Sequence, residues 1–315
     1  MKIFIVLLLG VLLYGADLSP ASSVNIKAAV LDAVFANHKI YLATDAGKVV
    51  IMDENLSVQK SLRVRKIKDF MGTLHDADIY SVDVLDDQIL YLAQAEDGYA
   101  ELYLYRDGNA SKVLDKSLHL YAKAAKFVDK QHAILALMSD EVVLYDLVAR
   151  KIVKRAKAGE YFYAAMAMDP SRKMVAIGDE GGEVVVLNPQ NLEHIKLFKD
   201  VNKDKILSIA INNPLIAAGS RADKTLAIYN LRGGKPKVYK NPDFFIYVTT
   251  LSPMNHYVVF GDNEKYILKV ASVESLDIQY RLIGHKNIVN VVRFLDEKRV
   301  LSASETGEIK IWRLP

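Results

Sequence analysis

The sequence predicts an all-β fold: a seven-bladed β-propeller whose ring is closed by an N-terminal strand lying in the last blade. Three observations predict it. A strand-like segment with a large closing residue recurs: KVVIM ends at Met52, ELYLY at Tyr105, EVVLY at Tyr145, EVVVL at Leu187, TLAIY at Tyr229 and YILKV at Val270, and the last ends at Trp312, the only tryptophan. The steps between these anchors are 53, 40, 42, 42, 41 and 42 residues, and self-similarity at roughly 40–45 residues with four strands per unit marks a propeller blade. Finally, residues 284–315 supply three strands where a blade needs four, while residues 22–27 read as a strand with no neighbour of its own. Pairing the two would tie the termini together and remove open sheet edges.

A length of 315 residues alone would suggest about two domains, but a closed ring is one unit whatever its blade count. The chain is 51% hydrophobic and 25% charged, ordinary for a globular protein. The net charge of +3 is spread out and gives no argument for nucleic acid. Cysteine is absent, which excludes disulfides, thiol catalysis, zinc–thiolate sites and a lipidated N-terminal cysteine.

Residues 1–16 read as a secretory signal peptide. Lys2 is followed by an apolar run over residues 3–13, broken only by Gly10, and then by Tyr14-Gly15-Ala16. The run is too short for a membrane span, which needs about 20 residues. Cleavage after Gly15 or Ala16 would leave one domain, residues 17–315, in the periplasm.

Blade 1 covers residues 28–60, with Val30, Val34 and Phe35 on its inner strand and further strands at 40–43 and 49–52. The step to blade 2 is about eleven residues longer than the others, the excess falling in 61–78 and 94–100. The next blades take strands at 80–85, 89–93 and 101–105; at 124–128, 133–138 and 141–145; and at 164–168, 174–178 and 183–187. Blade 5 takes 206–211, 215–220 and 225–229, and blade 6 takes 245–251, 257–261 and 266–270. Blade 7 takes 288–294, 300–304 and the strand to Trp312. Third strands such as Val184-Val185-Val186-Leu187 are apolar at consecutive positions, as strands covered on both faces should be. Pro170, Pro189, Pro214, Pro236, Pro242 and Pro253 fall between strands or at a strand start, where no ladder donor is lost.

These residues resemble the WD40 repeat family. DKTLAIYNL at 223–231 matches its Asp-x-Thr-Ile-x-Ile-Trp-Asp pattern with Tyr for Trp, and blade 7 carries Gly284-His285, Ser302-Ala303-Ser304 and Ile311-Trp312. The resemblance implies a hydrogen-bonded structural network of His285, Ser302 or Ser304, and Trp312. Thr306 stands where an Asp is usual, so the network is expected to be incomplete. More narrowly, KIKDFMG at 66–72 and DFFIY at 243–247 in an exported chain resemble the NapL-type WD40 accessory proteins of periplasmic nitrate reductase systems. That resemblance implies a periplasmic protein partner, a nitrate reductase component among the possibilities.

Few residues point to chemistry. The histidines have no metal-ligand spacing, and there is no HExxH, Gly-x-Ser-x-Gly or Walker loop. His75-Asp76-Ala77-Asp78 offers three ligand types in four residues, though a polar loop is the plainer reading. Asp83, Asp86 and Asp87 could face a cation; Asp86-Asp87 also suits a turn. Tyr161 and Tyr163, and Phe244, Phe245 and Tyr247, are aromatic clusters at strand openings, read either as packing between blades or as partner anchors. Arg63, Arg65, Lys66 and Lys68, with Phe70 beyond them, form the densest basic run. As an edge strand it would alternate Arg63, Arg65 and Ile67 against Val64, Lys66 and Lys68. Such a run guards an edge or docks an acidic partner.

The reading is a non-enzymatic interaction platform in the periplasm: a monomer that needs no metal or cofactor, binds no nucleic acid and makes no stable membrane span. The alternative is a propeller hydrolase, lyase or quinone-dependent enzyme with its site in the central channel. It would need charged side chains converging from several inner strands, whereas strands such as 164–168 and 206–211 are apolar or small.

Overall fold

The computed structural model describes residues 15–315 apart from 242–243 and 262–263. Nearly all of the signal-peptide reading, together with Pro242 and Asp243, lies outside the described residues. Seven sheets form the ring, each an antiparallel meander from the channel outward; blade 1, for example, runs Val30–Ala36, Lys39–Thr44, Lys48–Asp53, Val58–Arg63. Blade 7 takes its inner three strands from Val289–Phe294, Arg299–Ser304 and Glu308–Arg313. Its outer strand is Ser22–Asn25, with Ser22 opposite Ile311 and Asn25 opposite Glu308. Ala21 N–H on the Ile311 carbonyl (2.7 Å) and Ile26 N–H on the Gly307 carbonyl (3.0 Å) extend this clasp. A further strand, Ala16–Leu18, pairs in parallel with Ile278–Leu282 and covers the edge of blade 6, and Asp17 meets Arg281 at 2.6 Å. No pattern among residues 16–18 had marked this strand.

The apolar side chains gather into seven clusters among the described residues, each between two neighbouring blades. This is why third strands are apolar at consecutive positions: one face fills the interface behind, the other the interface ahead. The anchor residues Met52, Tyr145, Leu187, Tyr229 and Trp312 all face the preceding blade. Blade 6 departs from the sequence reading. Its third strand is Leu268–Ser272, and Val270 packs toward Trp312 in blade 7 while Ala271 takes the anchor's place against blade 5. A one-residue shift of register exchanges the two faces of a strand. The inner strand of blade 6 is also shorter than expected, Thr249–Leu251.

Side chains stitch the inner strands across blade boundaries where no backbone ladder exists. Ser81 Oγ accepts from Ala125 N (3.0 Å), Asp83 Oδ2 from Phe127 N (2.8 Å) and Ser208 Oγ from Thr249 N (2.8 Å). Blade 7 reaches blade 1 the same way, Arg293 Nε donating to the Ala33 carbonyl at 2.9 Å. Blades approach closely enough that Gly219 cannot be replaced freely, because a Cβ there would overlap Ile246 of the next blade. No described helix is long and apolar enough to cross a membrane.

Candidate functional site

In a four-stranded meander the links from second to third strand, and from one blade to the next, emerge on one face of the ring, called upper here. The long link from blade 1 to blade 2 rises from that face and is a small hairpin, not the continued edge strand the sequence suggested. The outer strand stops at Arg63; Ile67–Lys68 then pairs with Leu74–His75. The expected alternation fails with it. Val64 is half-buried and Ile67 buried, while Arg63, Arg65, Lys66 and Lys68 are exposed, so the apolar positions fix the hairpin's base whatever their parity.

The hairpin's tip is a turn closed by its own hydrogen bonds. Asp69 Oδ1 accepts from Met71 N (2.9 Å) and Thr73 N (2.8 Å), the Asp69 carbonyl accepts from Gly72 N (2.9 Å), and Gly72 takes φ +83°. The turn holds Phe70 99% and Met71 78% exposed, with Leu74 exposed beside them. Leaving a Phe or Met in water forgoes about 1.5–3 kcal/mol of burial per side chain.

Neighbouring upper links carry further exposed apolar side chains. Tyr99, in the second-to-third link of blade 2, packs its ring at a tilt against Tyr121 and His119, at 4.7 and 4.9 Å between ring centres. The Tyr121 carbonyl accepts from Met138 N (2.8 Å), the Ser139 carbonyl from Tyr163 N (3.0 Å), and the Phe162 carbonyl from Glu180 N (2.9 Å). Phe70, Met71, Tyr121, Met138, Tyr161 and Phe162 are therefore carried by links tied in sequence around one arc, and all six are exposed.

Other sequence candidates separate. Tyr163 opens the inner strand of blade 4 and is half-buried, and burial pushes its phenol far above the ordinary range. Phe244, Phe245 and Tyr247 stack together at 5.1 to 5.9 Å, half-buried beside Tyr266 and Val289 between blades 6 and 7. The basic run is partly neutralised: Arg65 lies 3.4 Å from Glu101 and Lys66 3.8 Å from Asp76. Asp76 is thereby engaged, and His75 Nδ1 turns to the Asp76 carbonyl at 2.9 Å. No group of three or more His, Asp or Glu among the described residues is arranged to hold a metal. Asp86 pairs with Lys130 at 2.7 Å in a left-handed turn position.

The blade 7 network selects Ser302 over Ser304. Trp312 Nε1 donates to Ser302 Oγ at 2.8 Å, and His285 Nε2 lies 2.6 Å from the same oxygen. Trp is donor-only, so Ser302 accepts from it; the Glu308 carboxylate facing Nδ1 favours a proton on that nitrogen, which leaves Nε2 to accept the Ser302 O–H. The neutral imidazole then carries its proton on Nδ1, which faces Glu308 Oε2 at 3.4 Å, a contact short of full hydrogen-bond geometry. The carboxylate missing at Thr306 thus stands two residues later. Ser304 instead ties its own turn, accepting from Glu308 N at 3.1 Å. Blade 5 has a counterpart without Gly-His: Tyr229 donates to Asn202 Oδ1 (2.7 Å), whose Nδ2 donates to Ser220 (2.9 Å).

The central channel overturns one expectation. Inner strands of blades 1, 2, 3 and 7 do converge charged groups. Asp32 meets Lys126 and Arg293, both at 2.8 Å, and Asp83 meets Arg172 through two contacts of 2.7 and 3.2 Å. Asp32 and Asp83 were legible as lone charges inside apolar strands, VLDAVF and YSVDVL. Burial favours the neutral acid at Asp32, yet Lys126 and Arg293 hold it below the ordinary carboxylate range. Asp32 is therefore a fixed anion and not a group poised to exchange a proton near neutral pH.

No protein-family model matches the chain, and no curated protein matches it. The ring of seven blades is compatible with a WD40-like propeller on its own geometry.

Proposed function

We propose that this protein is a non-enzymatic interaction platform of the periplasm that binds another protein through the upper arc of blades 1 to 4. The observation carrying this reading is the braced hairpin tip with Phe70 and Met71 held in water. Aromatic side chains dominate binding energy at interfaces, and a turn already fixed by its own hydrogen bonds loses little entropy on docking. The basic residues at the hairpin's base, of which Lys68 and Arg63 add charge beyond the Arg65 and Lys66 pairs, suit an acidic rim on the partner. The resemblance of residues 66–72 and 243–247 to NapL-type proteins makes a component of a periplasmic nitrate reductase the partner of choice.

The test is biolayer interferometry of the purified protein against the nitrate reductase of the same bacterium. Phe70→Ser/Met71→Ser should weaken binding at least tenfold, about 1.4 kcal/mol or more, with the melting temperature unchanged. Undiminished binding by the double variant would refute the arc, and absence of binding by the native chain would refute the partner.

A further inference from the structure

On the lower face, the mouth of the channel contains a cavity of about 280 Å3 whose wall divides by chemistry. Arg293, Asp83 and Lys126, from blades 7, 2 and 3, stand on one side. Met166, Met168, Ile209 and Ile211, from blades 4 and 5, stand on the other.

The charged side is not balanced. Lys126 Nζ and Arg293 Nη2 each lie 2.8 Å from Asp32, one carboxylate between two cations, so the trio carries one net positive charge. Asp83 does not offset it, being spent on Arg172 and on Phe127 N at 2.8 Å. Asp169, buried in the adjoining turn, keeps its charge but does not line the cavity, and it accepts from Ser171 N and Asn213 N, both at 3.0 Å.

Donors remain over. The Lys126 ammonium gives two of its three N–H groups to Asp32 and the Val82 carbonyl, at 2.8 Å each. Arg293 gives three of five to the Ala33 carbonyl, the Val292 carbonyl and Asp32, at 2.9, 2.8 and 2.8 Å. Lys126 is only 8% exposed, so its surplus charge sits where water screens poorly and an anion gains most.

We propose that the lower mouth of the channel binds a small organic anion of the monocarboxylate class, its carboxylate on Lys126 and Arg293 and its apolar chain along Met166, Met168, Ile209 and Ile211. The volume is close to the lower limit of about 300 Å3 for ligand pockets, which sets a short chain. The site lies on the face opposite the hairpin, so either proposal can fail without the other.

Isothermal titration calorimetry of the intact protein at neutral pH and low chloride tests it, with acetate, hexanoate and hexanamide as probes. Hexanoate should bind at least tenfold tighter than acetate, which lacks the chain, and than hexanamide, which lacks the charge. Met166→Glu adds a carboxylate to a half-exposed wall position and should weaken hexanoate at least tenfold with native circular dichroism. Lys126→Met should abolish binding if it folds, and Met166→Glu serves if it does not. The proposal is overturned if hexanoate and hexanamide bind alike, if neither binds at about 10 mM, or if folded Met166→Glu binds as the native chain does.

Discussion

Ser302→Ala is the sharpest test of how blade 7 is held. Ser302 and Trp312 are wholly buried and His285 is 6% exposed. The hydroxyl is the only group bridging Trp312 Nε1 and His285 Nε2. Its removal leaves two buried polar atoms unpaired, at about 1–3 kcal/mol each. Allowing for relaxation around a site of this size, the cost is about 3 kcal/mol. Trp312 is the sole tryptophan and lies at the site, so urea unfolding followed by its fluorescence reads the change directly. With a slope of about 3 kcal/mol per M, the midpoint should fall by about 1 M. Ser304→Ala, which loses only a turn acceptor, should cost about 1 kcal/mol. A Ser302→Ala protein within about 1 kcal/mol of native, or a Ser304→Ala protein equally damaged, would refute the bridging role.

Other outcomes follow from the same structure. Burial and the nearby Lys310 push His285 down to about 4, below its unfolded value of about 6.5. The unfolded chain therefore takes up the proton first as pH falls; this stability is full above about pH 6.5 and is lost progressively down to about pH 4. Between pH 7 and 5.5 the native protein should lose about 1 kcal/mol more in urea titrations than His285→Gln does. Gly219→Val, which would drive a side chain into Ile246, should cost at least about 3 kcal/mol by the same measurement. Deleting residues 15–25 removes both N-terminal strands and should lower the melting temperature by roughly 5–10 °C in calorimetry.

Periodic features were the legible ones. Blade number, the extra length between blades 1 and 2, and the closing role of residues 22–25 all follow from a repeat that counts residues and from a last unit one strand short. Blade 6 was misread because Val270 and Ala271 are both apolar and only the facing interface decides between them. The channel charges were visible as Asp32, Asp83, Lys126 and Arg293 within apolar strands, but their convergence depends on which strands face the axis. Phe70 stood out as part of an insertion. Its exposure, unlike that of half-buried Phe244 and Phe245, follows from the Asp69 turn lifting it away from the blades. The strand Ala16–Leu18 had no signal, because three residues carry no periodicity.

The clasp in blade 7 also sets how the molecule meets mechanical load. Ser22 lies opposite Ile311 and Asn25 opposite Glu308, so the two chain ends leave the pairing from the same side. Tension applied at residues 15 and 315 first loads the Ala16–Leu18 pairing with blade 6 and then these rungs one after another, as a zip opens, and never all four in shear. Anchored by its ends the ring should yield at low force, whereas gripped across two blades it must break an entire apolar interface at once.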